Sequence, residues 1–456
     1  MVTCISKLAS FVGKEVTIQG WMYNKRGSGK IFFLQLRDGS GFAQAVVSAS
    51  AVSAEVMAKA EKLQMESSCK VTGTVTKHPK FDDVFELQVT DIEIVQIPPE
   101  DYPIAKKEHG PDFLLDNRHL WLRSGKQWAI QRIRDTIISA IYDYFHQENF
   151  IKIDTPILTP NACEGATTLF EINYFDEDTV YLSQSGQLYL EAAVMSVGRA
   201  FDFGPVFRAE KSKTKRHLTE FWMMDAEAAF VEHEDNLKMQ ENMVVFIVER
   251  CLERCARELK ILERNIEPLK KIKAPFKRLT YTEAIKFLNE KGSDIKFGED
   301  LGNDDEVTLT RDSDVPVFIH KWPKSIKPFY MKVDPENPEL VLNDDMIGTE
   351  GSGELIGGSQ REDNYDVLKA AVEKEGLKGP EYQWYLDLRK YGGVPHSGFG
   401  LGLERMVRFV CGIEHIRETI PFPRMLSRCR PGWGSMKKWK KLQKGHSERE
   451  QDTRHR

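Results

Sequence analysis

Apolar and polar side chains alternate along the N-terminal part of the chain, which predicts strands with one buried face. Val16 and Ile18 alternate with polar neighbours in EVTIQGWMY, and CKVTGTVTK and FELQVTDIEIV show the same period of two. The segment KIFFLQLRDGSGFAQAVV predicts two strands joined by a turn at residues 38–41. A helical segment, AEVMAKAEKLQ, separates the third strand from the fourth. Residues 1–97 are therefore predicted to form a small β-barrel domain.

Five strands with a helix between the third and the fourth are typical of the OB fold, a Greek-key barrel that binds oligonucleotides. Such a barrel holds single-stranded bases on a strand face and in its loops. The next segment, IPPEDYPIAKKEHG, is rich in proline and polar residues. We therefore expect a hinge or linker over residues 98–120.

A long amphipathic helix begins the second part of the chain. Ser124 is its expected N-cap, and apolar residues recur every three or four positions at Ile130, Ile133, Ile137, Ile141 and Phe145. Beyond this helix, strands and helices mix without the regular βαβ alternation of a dinucleotide fold. Residues 121–425 are therefore predicted to form an α+β domain, an antiparallel sheet surrounded by helices.

Composition narrows the class of protein. Hydrophobic residues make up 41% and charged residues 29% of the chain, which is the profile of a globular protein. No apolar run approaches the roughly 18 residues that span a bilayer. The seven cysteines are scattered without metal-site spacing, and the N-terminus does not resemble a secretory signal. These features favour a cytoplasmic protein with reduced thiols and no membrane partner.

Charge is distributed unevenly along the chain. The net charge is −5, but the segment from Arg428 to Arg456 contains five Lys, five Arg and three acidic residues, a charge of +7, so that the remainder carries −12. Residues 426–456 are therefore predicted to form a basic tail. It is either an RNA-binding tail or, as we favour, a disordered or even aberrantly translated extension.

The segment FGPVFRAEKSKTKRHLTEFWMMDAE predicts a hairpin with a basic tip. Five basic side chains lie between its two strands: Lys211, Lys213, Lys215, Arg216 and His217. Cations this close repel one another unless an anion binds between them. The hairpin therefore predicts either an anion-binding loop or a solvated basic loop.

Two glycine-rich segments carry further charged residues. GGVPHSGFGLGLERMVRFVCG places Glu404 and Arg405 at the start of an apolar helix, and GSGELIGGSQREDNYDVL contains Glu354 and Arg361. Asp345 lies nine residues before Glu354. Glycine lets a backbone approach a ligand closely, although a glycine-rich structural turn has the same appearance. The order of elements does not fit a GxGxxG phosphate loop.

Together these segments resemble the class II aminoacyl-tRNA synthetases. FIKIDTPILTP is similar to the first motif of that family, FRAE with HLTEF to the second, and GFGLGLER to the third. The signatures of class I synthetases are absent, and the N-terminal barrel narrows the resemblance to the aspartate, asparagine and lysine subgroup. The resemblance covers about residues 5–425. It implies a homodimer, with Pro156 at the position that supports the dimer interface.

The resemblance also implies an ATP site. Arg208 would hold the α-phosphate and the substrate carboxylate, and Arg405 would contact the γ-phosphate and stack on adenine. Glu210 would accept a hydrogen bond from the adenine amino group. These three are the predicted catalytic residues, because catalysis in this family is mostly positioning and charge neutralisation. Phe221 would stack on the base, and His217 would reach the terminal phosphates.

A metal ion accompanies ATP in this family. Asp345 and Glu354 match the carboxylates that hold Mg²⁺, consistent with the preference of a hard cation for oxygen ligands. Asp344, the neighbour of Asp345, is an alternative ligand.

The amino-acid pocket separates the members of the subgroup. In QSGQLYLEA, Leu190 stands where aspartate enzymes have a lysine that neutralises the substrate carboxylate, which favours a neutral amide. Arg361 matches the arginine that binds the side-chain oxygen, and Asp225 stands where asparagine enzymes tend to have glutamate. Glu164 and Gln187 match residues that hold the α-amino group. The resemblance thus predicts activation of asparagine with ATP and its transfer to tRNA(Asn).

In the barrel, Phe33 resembles the aromatic residue that stacks on the middle anticodon base, and Gln44 one that reads the edge of that base. Arg26 resembles a contact to the RNA backbone or a base. Asparagine and aspartate anticodons share two of three bases, so these three residues do not separate the two enzymes.

Three alternatives share parts of the pattern. An aspartyl enzyme that charges both tRNAs is disfavoured by Leu190. An asparagine synthetase built on the same core would have no use for the N-terminal barrel. A non-catalytic RNA-binding paralogue should have lost Arg208, Glu210 or Arg405, and all three are present.

Overall fold

The computed structural model describes residues 1–81, 83–104, 107–163, 169–175, 178–212, 214–377 and 380–429. The chain divides into two compact units, Met1–Gly110 and a second that begins at Pro111. The second unit therefore begins inside the segment that was expected to be a linker. No helix in the described ranges is long and apolar enough to cross a membrane.

The first unit is a closed barrel, as the alternating pattern predicts. Its strands are hydrogen-bonded in the order β1-β2-β3-β5-β4. The bounds are β1 Glu15–Ser28, β2 Ile31–Arg37, β3 Phe42–Ser48, β4 Ser68–Lys77 and β5 Phe85–Gln96, with helix α1 Ala54–Lys62 between β3 and β4. Val16 and Ile18 of β1 are buried in the barrel core, so the period-two prediction is confirmed there.

The second unit contains the remaining strands and helices. Its strands are β6 Ile151–Lys152, β7 Leu158–Thr159, β8 Glu171–Tyr174, β9 Asp178–Leu182, β10 Arg199–Phe207, β11 Glu220–Ala229, β12 Lys277–Thr280, β13 Val317–His320, β14 Val333–Asp334, β15 Asn337–Val341, β16 Asn343–Gly348, β17 Gly353–Gln360 and β18 His396–Gly402. Its helices are α2 Pro111–Asp116, α3 Arg118–Trp121, α4 Gly125–Gln147, α5 Gln187–Val197, α6 His233–Arg254, α7 Ala256–Ile261, α8 Glu267–Lys270, α9 Tyr281–Glu290, α10 Asn303–Thr310, α11 Tyr365–Lys374, α12 Gln383–Lys390 and α13 Leu403–Cys411.

Eight of the described strands form the main sheet, in the order β12-β13-β16-β17-β18-β11-β10-β6. Its central strands pair antiparallel, as predicted. The pairs at its two edges, β12 with β13 and β6 with β10, are parallel, so the sheet is mixed. Helices α4, α6 and α13 share the largest apolar core with this sheet. The α+β prediction is confirmed.

Helix α4 shows why the sequence folds this way. The Ser124 side chain accepts a hydrogen bond from the Gln127 backbone N–H, which confirms the predicted N-cap. All five periodic residues are fully buried, with 0% exposure: Ile130, Ile133, Ile137, Ile141 and Phe145. The helix thus buries one apolar stripe in the core and fixes the sheet behind the candidate site.

Helices α2 and α3 are bound to the last described segment of the chain. The Arg118 guanidinium donates to the carbonyl of Pro421 at 2.8 Å and to that of Ile420 at 2.9 Å. Arg428 pairs with Asp112 and Asp116. Residues 111–121 therefore belong structurally to the second unit.

Candidate active site

A cavity of about 400 Å³ opens between the β10–β11 hairpin, β17 and the start of α13. It is lined by all six residues that the sequence assigns to ATP: Arg208, Glu210, His217, Phe221, Glu354 and Arg405. These residues come from three separate segments, and only the fold brings them together. The cavity is concave, polar and rich in cations, which suits a nucleotide with several phosphates.

Arg208 and Phe221 flank the loop of the hairpin, one just after β10 and the other near the start of β11. Arg208 follows the last residue of β10, and its Nη1 donates to the carbonyl of Gln184 at 2.7 Å. Its guanidinium carbon lies 5.9 Å from the centre of the Phe221 ring. The cation and the aromatic ring therefore face the same cavity, one suited to phosphate and the other to a base.

Arg405 lies in the first turn of α13 and contacts β17. Its Nη1 is 2.9 Å from the carbonyl oxygen of Glu354 and 3.3 Å from the carboxylate of the same residue. The preceding residue, Glu404, accepts a hydrogen bond from the Trp222 backbone at 3.0 Å and pairs with Arg134 at 2.7 Å. Buried Glu404 thus fixes the start of α13 against β11, and Arg405 is held at the cavity.

The carboxylates of Asp345 and Glu354 lie close together beside this cavity. A Cβ atom placed on Gly357 would be 3.2 Å from Glu354 Oε1 and 3.8 Å from Asp345 Oδ1. Burial raises the pKa of Asp345 to about 7, with Lys327 opposing the effect and Glu354 adding to it. Burial also raises the pKa of Glu354, but Arg405 and Lys327 outweigh it and hold that pKa below its ordinary value.

Lys327 is the cation that compensates this pair. Its Nζ lies 2.7 Å from Asp345 Oδ2 and 3.8 Å from the centre of the Trp322 ring. Two adjacent carboxylates, one held by Lys327 and the other by Arg405, fit a hard divalent cation. No group of three or more His, Cys, Asp or Glu side chains that could hold a metal ion occurs among the described residues.

Asp344 points away from this position. It is fully buried, and its Oδ1 lies 3.2 Å from His233 Nε2. Successive strand residues face opposite sides of a sheet, so Asp344 and Asp345 cannot both face Glu354. Asp345 is the one beside Glu354.

The basic tip of the hairpin is held by hydrogen bonds and ion pairs. His217 Nδ1 contacts the hydroxyl of Ser212 at 3.1 Å and also the hydroxyl of Thr214. Burial lowers the pKa of His217, and Arg405 lowers it further. Arg216 pairs with Glu306 of α10. Lys213 lies outside the described residues.

Arg361 lies in a buried ion pair that the sequence did not predict. Its Nε donates to Glu227 Oε1 at 3.0 Å, and its Nη1 donates to Ser359 Oγ at 2.7 Å. Burial raises the pKa of Glu227 to about 7, although Arg361 opposes the rise. A Cβ on Gly398 of β18 would collide with the Glu227 carboxylate, so glycine is needed there. One sequence feature could have indicated Glu227. It lies two residues after Asp225 on β11, and residues two apart on a strand share one face.

Asp225 is also buried, near the start of α5. Its Oδ2 accepts hydrogen bonds from the Gly186 backbone at 2.9 Å and from Ser185 Oγ at 3.1 Å. Burial raises the pKa of Asp225 to about 6. This carboxylate therefore connects the QSG segment to β11.

Three further amino-acid-site predictions fall on or near α5. Gln187 is buried and donates to Glu191 Oε1 at 3.1 Å. Leu190 is fully buried in an apolar cluster with Val194 and Ala200, with no charged member. Glu164 lies outside the described residues.

The three residues that were predicted to contact an anticodon share the outer face of the barrel. Arg26 pairs with Phe33 in the β1–β2 register, and Gln44 pairs with Gln35, two residues beyond Phe33 on the same face. Gln44 Nε2 also donates to Glu86 Oε1 at 2.5 Å. Arg26, Phe33 and Gln44 thus form one surface.

Pro156, the residue that was predicted to support a dimer interface, lies on the surface of the second unit. It is exposed and lines a cleft of about 220 Å³ with Ile157 and Trp222. Ile157 is 43% exposed and its neighbour Leu158 44%. An apolar surface of this kind is typical of an interface.

Comparisons with known proteins agree with this geometry. A family model described as tRNA synthetases class II (D, K and N) matches residues 110–426, and one described as OB-fold nucleic acid binding domain matches residues 16–95. An asparagine–tRNA ligase from Pelotomaculum thermopropionicum is 52% identical over 94% of this chain and 99% of its own. One from Desulforamulus reducens is 53% identical over the same shares. The structure resembles that of asparaginyl-tRNA synthetase from Pyrococcus horikoshii complexed with asparaginyl-adenylate, with a TM-score of 0.88, 44% identity, and coverage of 92% of this chain and 97% of that one.

Proposed function

The chain belongs to the asparagine–tRNA ligases, a branch of the class II tRNA synthetases, and from this premise we propose that it activates asparagine in the 400 Å³ cavity and the adjoining Arg361 pocket. The reaction joins asparagine to ATP and then transfers it to tRNA(Asn). We assign the site to this cavity because one cavity is lined by Arg208, Phe221, Glu354 and Arg405.

Activation requires little acid–base chemistry from the protein. A carboxylate oxygen of asparagine attacks the α-phosphorus of ATP, the bond to the β-phosphate oxygen breaks, and pyrophosphate leaves. Arg208 would neutralise the α-phosphate and orient the attacking carboxylate, and Arg405 would hold the γ-phosphate. Phe221 would stack on adenine, Glu210 would accept from its amino group, and His217 would contact the terminal phosphates.

Asp345 and Glu354 would hold the Mg²⁺ that accompanies ATP. Their adjacent, partly buried carboxylates suit a hard cation, and the bound ion would neutralise phosphate charge. In the second step, the terminal ribose hydroxyl of the tRNA attacks the carbonyl of the adenylate, loses its proton, and displaces AMP.

The Arg361 pocket favours a neutral side chain over a carboxylate. Arg361 is already paired with Glu227, and Leu190 brings no charge of its own. Arg361 can still donate to an amide oxygen, and Asp225 can accept from the amide N–H, directly or through water. Gln187, together with Glu164, would hold the α-amino group.

The remaining partners follow the same family pattern. The Arg26, Phe33 and Gln44 surface would bind the anticodon of tRNA(Asn), and the Pro156 surface would form the interface of a homodimer. We place the enzyme in the cytoplasm. All seven cysteines are free thiols, as in a reducing compartment.

ATP–pyrophosphate exchange with asparagine and aspartate, measured side by side, tests this function. We expect exchange with asparagine and little with aspartate. Exchange supported by aspartate but not by asparagine would refute the substrate assignment. Exchange with neither amino acid, in the presence of tRNA, would refute the assignment of the site.

A further inference from the structure

Glu191 of α5 is a buried carboxylate for which the reaction steps above have no role. Its side chain has 0% exposure. Arg389 Nη2 donates to its Oε2 at 2.6 Å, and the Tyr385 hydroxyl lies 2.8 Å from both carboxylate oxygens. Gln187 donates to it at 3.1 Å. A carboxylate with this many donors in a dry site stays ionised, since burial raises its pKa but Arg389 and His396 lower it far more.

His396 is a second partner of Glu191. Its Nδ1 lies 2.8 Å from the carbonyl oxygen of Val394, and its Nε2 lies 3.0 Å from Glu191 Oε2. Glu191 therefore contacts both a guanidinium and an imidazole, and both of these side chains are buried.

Arg389 and His396 both adjoin the proposed amino-acid pocket. The Arg361 backbone N–H donates to the carbonyl of His396 at 2.9 Å, and Arg389 Nε donates to the carbonyl of Glu362 at 2.8 Å. Gly398, two residues beyond His396, faces Glu227. A side-chain carboxylate bound at Arg361 would therefore lie close to Arg389 and His396.

We propose that Glu191 determines specificity, because it occupies Arg389 and His396 and so leaves the described part of the pocket without a free cation for an aspartate side chain. The proposal rests on the proposed function, since it takes the Arg361 pocket as the amino-acid site. Leu190 carries no charge, and its neighbour Glu191 neutralises Arg389 and also contacts His396. Without Glu191, the excess positive charge would attract the carboxylate of aspartate.

Glu191→Gln is the test, because glutamine keeps the shape of the side chain and loses its charge. The measured quantity is the ratio of kcat/KM for asparagine to kcat/KM for aspartate in ATP–pyrophosphate exchange. We expect this ratio to fall about 10- to 100-fold, mainly through a lower KM for aspartate, as for a freed cation beside a carboxylate. An unchanged ratio in a folded variant would overturn the proposal.

Two further variants separate specificity from structure. Tyr385→Phe removes a neutral hydrogen bond from Glu191 and should leave the ratio unchanged. Glu191→Gln combined with Arg389→Gln removes the freed cation and should restore the preference for asparagine. A merely structural role would instead lower both rates together, and the second substitution would not restore the ratio.

If Glu191→Gln does not fold, Glu191→Asp provides the same measurement. Its carboxylate is one methylene shorter and so is drawn back from Arg389 and His396. The ratio should fall in the same direction by a smaller factor, and an unchanged ratio counts against the proposal. Failure of the proposed function is seen separately, as loss of asparagine exchange in the unmodified enzyme.

Discussion

Two carboxylates of the second unit differ in pKa because their cationic partners differ. Glu354 is partly exposed and faces Arg405 and Lys327, and its pKa lies below the ordinary value. Asp225 is buried and accepts two hydrogen bonds, but it forms no ion pair with any residue that the structure describes, and its pKa rises to about 6. The charge of Asp225 therefore costs stability, and the fold retains it at the site where the amide of asparagine is proposed to bind.

This cost predicts the effect of Asp225→Asn on stability. The pKa of Asp225 is about 6 in the folded state and 3.8 as its ordinary value, so the folded state binds the proton more tightly. The penalty is absent below pH 4, grows between pH 4 and 6, and is complete above pH 6. Asp225→Asn removes this penalty. The gain in free energy of unfolding that the substitution brings should therefore be about 2 kcal/mol larger at pH 8 than at pH 4.

Urea unfolding across this pH range measures the effect. Asp235→Asn, on the exposed surface of α6, is the control and should show no comparable pH-dependent gain. A stability change in Asp225→Asn that does not vary with pH would contradict the assigned pKa.

Arg405 offers a second prediction at the scale of one residue. Arg405→Lys keeps the charge but loses the planar guanidinium that can contact Glu354 and stack on a base. The rate of ATP–pyrophosphate exchange should fall about 10- to 100-fold, as expected for a charge-assisted hydrogen bond. Arg250→Lys, on the outer part of α6, should leave the rate unchanged. An Arg405→Lys enzyme with the original rate and KM for ATP would exclude the assigned role.

Sequence patterns indicated candidate residues where one short segment contained them, and were less informative where partners are distant in sequence. All six residues that were predicted to bind ATP line one cavity, and their contact with ATP stays a prediction. Glu227 was not predicted, because its partner Arg361 is 134 residues away. The spacing on β11 places Glu227 on the same face as Asp225 but does not identify that partner. The choice between Asp344 and Asp345 also needed the strand register, since one-residue offsets decide which face a side chain takes.

Elements were predicted where the apolar period was strong. The barrel strands, α1 and α4 all match their patterns, because each buries one continuous apolar face. Strands β6 and β12 are short and pair parallel at the sheet edges, where no local pattern distinguishes parallel from antiparallel pairing. Helices α2 and α3 were missed because their anchor, Arg118, bonds to carbonyls about 300 residues away.

The outer face of the barrel predicts a separable effect on RNA binding. Phe33 is half-buried and lies opposite Arg26, so its ring is presented with a neighbouring cation. Phe33→Ala should weaken tRNA(Asn) binding by about 1–3 kcal/mol, the value of one stacked base, and leave ATP–pyrophosphate exchange unchanged. Filter binding and exchange measure the two quantities. Val95→Ala, at a 61% exposed position of β5, is the control. Equal tRNA affinity for Phe33→Ala and the unmodified enzyme would remove Phe33 from the anticodon site.

At the scale of the whole molecule, the apolar Pro156 surface predicts a dimer that one charge can break. Ile157 is 43% exposed beside Leu158 and Trp222, and its burial in an interface would contribute about 1.5–3 kcal/mol. In a two-fold symmetric dimer the substitution acts twice, so Ile157→Asp should weaken association about 100-fold or more. Light scattering should then give about 52.3 kDa for the variant and twice that mass for the unmodified enzyme.

Val367→Asp, at a 37% exposed position of α11, is the control and should remain a dimer. A dimeric Ile157→Asp variant would place the interface elsewhere. Ser183 and Gly186 line the same cleft, and the Gly186 backbone N–H donates to Asp225 of the proposed amino-acid site. Because the interface and that site share these residues, a monomeric variant should also lose asparagine exchange.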